Sequence, residues 1–214
     1  MRVGLIDSGA DRGRVVAARR FAADGAVAPL VVPDPTGHGT RVAQRIAAGR
    51  DGLEFVLGQV FEAARPTSAL AVAAALDWCI AEGARLVHLS LGLAADRAPL
   101  AAAVARAAAT DCLIVAATPA RGGPVYPAAY PRVIRATGDA RCRAGELSCL
   151  GPATFGGDLS SAAGGRGASI GAAAVSAALL ALMGPGLRYE DALAALAARS
   201  RYDGPERRAA GGGA

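Results

Sequence analysis

Lysine is missing from this chain of 214 residues: all 23 basic side chains are arginine. Set beside so much alanine and glycine, that bias reads as coding preference and says little about partners. Aromatic residues are scarce at 4%, while apolar residues as a whole reach 53%, so a core must be built from Ala, Val, Leu and Ile. The net charge of +5 is modest and the arginines are scattered, with few rings to stack on bases. No nucleic-acid partner is expected on that footing. A secretion signal is lacking too, because residues 1–7 enter a strand pattern with no charged segment, apolar stretch and cleavage site in order. The apolar run 172–183 is too short to span a bilayer. The expectation is therefore a cytoplasmic protein with no membrane partner. Cys79 and Cys112 fall in apolar patterns and read as small core residues. Cys142 and Cys149 flank a turn at 143–146 and could pair in an oxidising compartment; without an export signal all four read as thiols. No Cys/His spacing suggests zinc, and no cofactor is expected.

The length suits one domain with a sizeable core, placed at 1–200. Residues 201–214, ending in Gly-Gly-Gly-Ala, read as a disordered, frayed tail. Apolar runs at 2–6, 54–61, 85–91, 112–117 and 133–137 predict strands. Periodicity predicts helices at 38–48, 69–82, 99–110, 172–183 and 188–200. Residues 15–32 are ambiguous: 15–16 and 27–32 suit strands and 17–23 a helix. Ser68 can cap the second helix and Gly83 close it, with Leu76 and Trp78 facing the core. Strands alternating with helices mean a three-layer α/β domain with a mostly parallel central sheet.

Three stretches carry chemistry. Ile6-Asp7-Ser8-Gly9 delivers an acid at the carboxyl end of a strand, where open parallel sheets bind ligands. The bland reading of Asp7 is a turn residue. A nucleotide-binding turn is the third choice, since Gly9 and Gly13 give no G-x-G-x-x-G fingerprint. Gly37-His38-Gly39-Thr40 follows a proline-rich loop and opens a helix, with glycines that let the backbone pack while the imidazole points outward. Gly164-Gly165-Arg166-Gly167-Ala168-Ser169-Ile170-Gly171 leads into the long apolar helix. Ser169 then sits where free N–H groups and the helix dipole favour developing negative charge. The bland reading there is an N-cap serine.

Taken together, Ile6-Asp7-Ser8-Gly9, Gly37-His38-Gly39-Thr40-Arg41-Val42-Ala43 and Gly167-Ala168-Ser169-Ile170-Gly171-Ala172 resemble the Asp, His and Ser motifs of the subtilisin family of serine peptidases. Their order separates this pattern from α/β-hydrolases and chymotrypsin-like enzymes. His88-Leu89-Ser90-Leu91-Gly92 is similar to the family's substrate wall, Ile114-Val115-Ala116-Ala117 to the strand before the oxyanion loop, and Tyr126-Pro127 to a Tyr-Pro segment beyond it. The resemblance covers residues 1 to about 200. It implies a subtilisin-like fold and a triad of Asp7, His38 and Ser169. It also implies a substrate site at Ser90, Leu91, Gly92, Ala116, Ala117 and Thr118. His88 is expected to be a buried strand residue outside the triad.

The departures also speak. Pro119 stands at the family's oxyanion asparagine and has no N–H to donate. The Ser169 N–H and the Thr118 hydroxyl are left as candidate oxyanion donors. Ala168 replaces the usual Thr and Ala173 a usual Pro. With six residues before Asp7, no folding pro-segment is expected. The short loop after the histidine helix lacks the acids for calcium, and residues 65–68 shorten one wall of the groove. These losses resemble short, leaderless subtilases that process one dedicated peptide. One is the peptidase that trims the cross-linked small subunit during quinohemoprotein amine dehydrogenase maturation. The expected partner is thus a peptide or protein substrate, such as a leader-bearing cross-linked subunit with its modifying enzyme. The competing class is a catalytically impaired pseudopeptidase that binds a peptide or acts as a scaffold.

Overall fold

The computed structural model describes residues 1–29, 34–61, 66–160, 167–184 and 186–206. In chain order its elements are β1 (Arg2–Asp7), β2 (Val15–Phe21), β3 (Val27–Pro29), α1 (His38–Ala47), β4 (Glu54–Gln59), α2 (Ala69–Ala81), β5 (Leu86–Leu89), α3 (Ala98–Ala109) and β6 (Leu113–Ala117). Then follow β7 (Val133–Gly138), β8 (Leu147–Gly151), β9 (Thr154–Gly157), α4 (Ala168–Leu182), α5 (Tyr189–Arg199) and β10 (Tyr202–Asp203). The strands form one sheet in the order β10-β8-β9-β7-β6-β5-β1-β4-β2-β3. Among the described strands, β2–β3 and β8–β9 pair antiparallel and the others parallel.

Side chains alternate across the strands and so serve both faces of the sheet. Leu5, Leu57, Leu86, Val115 and Ile134 join the α1, α4 and α5 layer, while Ile6, Val56, Val87, Leu89 and Ile114 meet α2 and α3. With helices on both faces the central strands are buried throughout. That explains why β1 and β6 read as apolar runs. Ser68 caps α2 by accepting from the Ala71 N–H at 3.1 Å, as its position predicts. Leu76 and Trp78 are buried beneath α2. The chain leaves β1 to build β4 on one side and then β5 on the other. The carboxyl end of β1, and Asp7 with it, therefore stands at the crevice where such sheets bind ligands.

Two expectations need correction, and one hairpin is not expected from the sequence. Residues 17–21 form part of β2 rather than a helix, because the chain pairs with β4 and then β3. Residues 147–157 form a β8–β9 hairpin that the sequence pattern does not reveal. Residues 201–206 are not a frayed tail. β10 pairs with β8, and the Arg201 and Gly204 N–H groups donate to the Leu147 and Cys149 carbonyls at 2.8 Å. Residues 207–214 lie outside the described residues. All four cysteines are free thiols. Among the described residues, no helix is long and apolar enough to cross a membrane.

Candidate active site

Asp7 ends β1, buried at 1% exposure. Its Oδ1 accepts the Ser8 N–H at 2.7 Å and lies 2.7 Å from His38 Nδ1. Its Oδ2 is buried and takes no hydrogen bond among the described residues. His38 opens α1, and the hydrogen bond with Asp7 is the largest influence on it. Burial opposes that bond, but the pKa is still raised above the ordinary histidine value. The side chain keeps 36% exposure, so the ring is held from behind and open in front.

What brings the two together is a close approach of α1 to the end of β1. A Cβ on Gly39 would run into the Gly9 carbonyl oxygen and stand 3.0 Å from Asp7 Cβ. Only glycine fits there. Gly37, at φ 66, ends the loop and gives the helix no side-chain cap. The first-turn N–H groups are served from the side instead. His38 N–H donates to Thr36 Oγ1 at 3.1 Å, Gly39 N–H to Ser8 Oγ at 3.3 Å, and Thr40 N–H to Asp34 Oδ2 at 2.8 Å. The Ser8 hydroxyl sits between two carboxylates, 2.8 Å from Asp34 Oδ1 and 3.1 Å from Asp7 Oδ1. Burial would raise the Asp34 pKa, but hydrogen bonds from Thr40, Ser8 and Thr36 outweigh it and hold the carboxyl below its ordinary value. Asp34 is a supporting residue that the motif reading passes over. The Asp-x-Thr spacing of an Asx turn is the signal that could have found it.

Ser169 is the second residue of α4, whose N-cap Gly167 makes no side-chain cap bond. The first helical bond is Gly171 N–H to Gly167 O at 3.1 Å, so the Ser169 N–H belongs to the donors a helix leaves unpaired. The lead-in residues Gly164, Gly165 and Arg166 lie outside the described residues, as does Arg65 of the shortened wall. α4 packs against α1, β7 and β9. A Cβ on Gly171 would stand 2.5 Å from the Thr137 carbonyl oxygen, and one on Gly157 2.6 Å from the Gly171 carbonyl oxygen. Thus the structure joins Asp7 to His38. It places Ser169 at the helix start without a hydrogen bond between Ser169 and His38 among the described residues.

The expected substrate residues lie beyond the carboxyl ends of β5 and β6. Leu91 is buried and Gly92 exposed. Gly92 is closely backed by Val125, whose Cβ would be 2.8 Å from a Cβ added there. Leu93 and Tyr126 exchange hydrogen bonds just beyond, at 2.7 and 2.8 Å. Ala116 and Ala117 end β6, both buried. The Thr118 N–H is committed to the Ala136 carbonyl at 2.8 Å, which leaves its hydroxyl as the remaining donor. Thr118 also lines a pocket of about 390 Å³ with Pro119, Arg121, Thr137 and Glu206. The Thr137 hydroxyl is buried with no hydrogen-bond partner among the described residues. His88, as expected, is a buried strand residue outside the Asp7–His38 pair.

No model of a known protein family matches the chain, and no curated protein sequence does. Solved structures do match. One is a lanthipeptide protease, with 22% identity over 64% of this chain and 48% of that one and a TM-score of 0.56. Another is the epidermin leader peptide processing serine protease of Staphylococcus aureus, with 17% identity over 83% of this chain and 63% of that one and a TM-score of 0.62. The chain therefore spans about half to two thirds of the length of these neighbours. The shared feature is the fold, a three-layer, mostly parallel α/β arrangement of the subtilisin-like kind.

Proposed function

We propose that residues 1–200 form a serine endopeptidase with Asp7, His38 and Ser169 as its triad. The observation that carries the reading is the 2.7 Å contact between Asp7 Oδ1 and His38 Nδ1, at the crevice end of β1. Ser169 Oγ attacks the scissile carbonyl while His38 Nε2 takes its proton. Asp7 holds the Nδ1–H tautomer and stabilises the imidazolium. The tetrahedral oxyanion draws on the Ser169 N–H and the α4 dipole, with the Thr118 hydroxyl as second donor. Collapse passes the His38 proton to the leaving amine. Water, deprotonated by His38, then frees the acyl group from Ser169. A missing His38–Ser169 hydrogen bond is compatible with this role, since such bonds tighten on substrate binding.

The substrate we propose is a leader-bearing peptide, held in extended form along Ser90-Leu91-Gly92. One structural neighbour named as a lanthipeptide protease and another named for epidermin leader peptide processing support that class. The finer reading, maturation of a cross-linked quinohemoprotein subunit in the cytoplasm, rests on the departures from the family pattern. A radical cross-linking enzyme encoded beside this chain would support it. A fluorophosphonate probe tests the chemistry: the wild type should be labelled at Ser169, and Ser169→Ala or His38→Ala should not. A second reading has its own observation. The Thr118 N–H is spent on Ala136 and Pro119 has none, which suits a pseudopeptidase. An unlabelled Ser169 in a protein that still binds its peptide would select that reading.

A further inference from the structure

The chain has two histidines, and the proposed chemistry uses one. The other, His88 of β5, is fully buried, with Nδ1 2.8 Å from Ser176 Oγ and Nε2 2.8 Å from Ser90 Oγ. Burial, with a smaller contribution from the charge of His38, drives its pKa down to about 3. The ring is therefore neutral, with one nitrogen donating and the other accepting. A serine hydroxyl can serve either role, so both tautomers are satisfied.

The placement of the two serines matters more than their number. Ser176 lies on α4, seven residues after Ser169. That is close to two helical turns, so both hydroxyls share a face about 10 Å apart along the axis. Ser90 lies two residues beyond His88, on the same side of the strand's extension, and begins the edge proposed to hold substrate. Other buried residues of α4 include Ala172, Ala173 and Val175, contacts without directional preference. The imidazole is a directional link between the two elements whose relative position decides attack geometry.

We propose that His88 is a positioning residue, tying Ser176 of α4 to Ser90 and so setting where Ser169 stands relative to the substrate edge. This rests on the serine-peptidase reading above. The test is the second-order rate of fluorophosphonate labelling at Ser169 in the full chain, with a thermal melt of each variant. Ser176→Ala should slow labelling roughly three- to tenfold, the worth of one hydrogen bond. The melt should fall modestly, because a buried imidazole nitrogen loses its partner, so labelling is read well below both melting temperatures. Ser176→Thr keeps the hydroxyl and should recover the rate. In a Ser90→Ala background, Ser176→Ala should cost nothing further, since both act through one ring. A Ser176→Ala protein with a lower melting temperature but the wild-type rate would overturn the proposal. So would independent losses that multiply in the double variant. Absence of labelling in the wild type sinks the peptidase reading and this link with it, whereas a labelled wild type with an indifferent Ser176→Ala sinks the link alone.

Discussion

A buried neutral histidine makes this protein sensitive to mild acid, by an amount that can be worked out. Unfolding exposes His88, which then titrates near 6.5, whereas the folded protein resists protonation down to about 3. The unfolded state thus binds more protons throughout that window, and stability falls as pH falls. For this one group the loss from about pH 8 to pH 5 is about 2 kcal/mol. His38 acts in the opposite sense. Its folded pKa is raised, so its contribution is complete below about 6.5 and fades as pH rises through the folded value. Below about pH 6 it is nearly constant, and His88 alone should remove about 1.2 kcal/mol over the next unit. Most carboxylate titration lies lower still. Against a typical total of about 5–15 kcal/mol the loss is readily measured. Urea unfolding followed by circular dichroism between pH 6 and pH 5 should show it in the wild type, while His88→Asn, though less stable at every pH, should run flat. A flat wild-type curve, or a variant that keeps the slope, would refute the argument.

Asp7→Asn should let His38 titrate at lower pH, read by NMR of the imidazole, because the Asp7 hydrogen bond is the main cause of the raised pKa. Gly39→Ala should cost about 1–3 kcal/mol in urea unfolding and abolish labelling, since the added methyl meets the Gly9 carbonyl; an unchanged midpoint would contradict the close approach. Asp34→Ala removes the acceptor of the Thr40 N–H and should cost about 1 kcal/mol, as loss of a helix cap does. Peptides with Ala or Gly before the scissile bond should be cleaved faster than those with Phe or Leu, because Val125 backs Gly92 and Thr118 adds a branched side chain. Equal rates across such a panel would remove that restriction.

The legible parts of the sequence are those whose cause is local. Helix α1 announces itself by Val42 and Ile46, α2 by Ser68 and Gly83, and β1 by its apolar run into Asp7. β2 is misread because Ala17 and Ala18 suit either period, and only pairing with β4 decides. The β8–β9 hairpin is hidden by its shortness and by Gly151-Pro152, which reads as a break. β10 exists because two residues find the edge of β8, and nothing at 202–203 predicts that. The same holds in the site. Asp7 and His38 lie in recognisable glycine settings. The His88–Ser176 bond spans 88 positions, and neither residue advertises it.

The glycine seam between α4, β7 and β9 bears on how such a chain can change over generations. Where a helix rests on side chains, each swap of Val for Ala or Leu lowers or lifts it a little. Here Gly171 and Gly157 let main chain lie on main chain, so the height of the α4 N-terminus above the sheet is fixed by atoms every residue shares. A genome that drives its proteins toward alanine can then rewrite much of the surrounding core while Ser169 keeps its level. The tolerance ends abruptly at the glycines themselves, where the smallest possible enlargement would lift the helix.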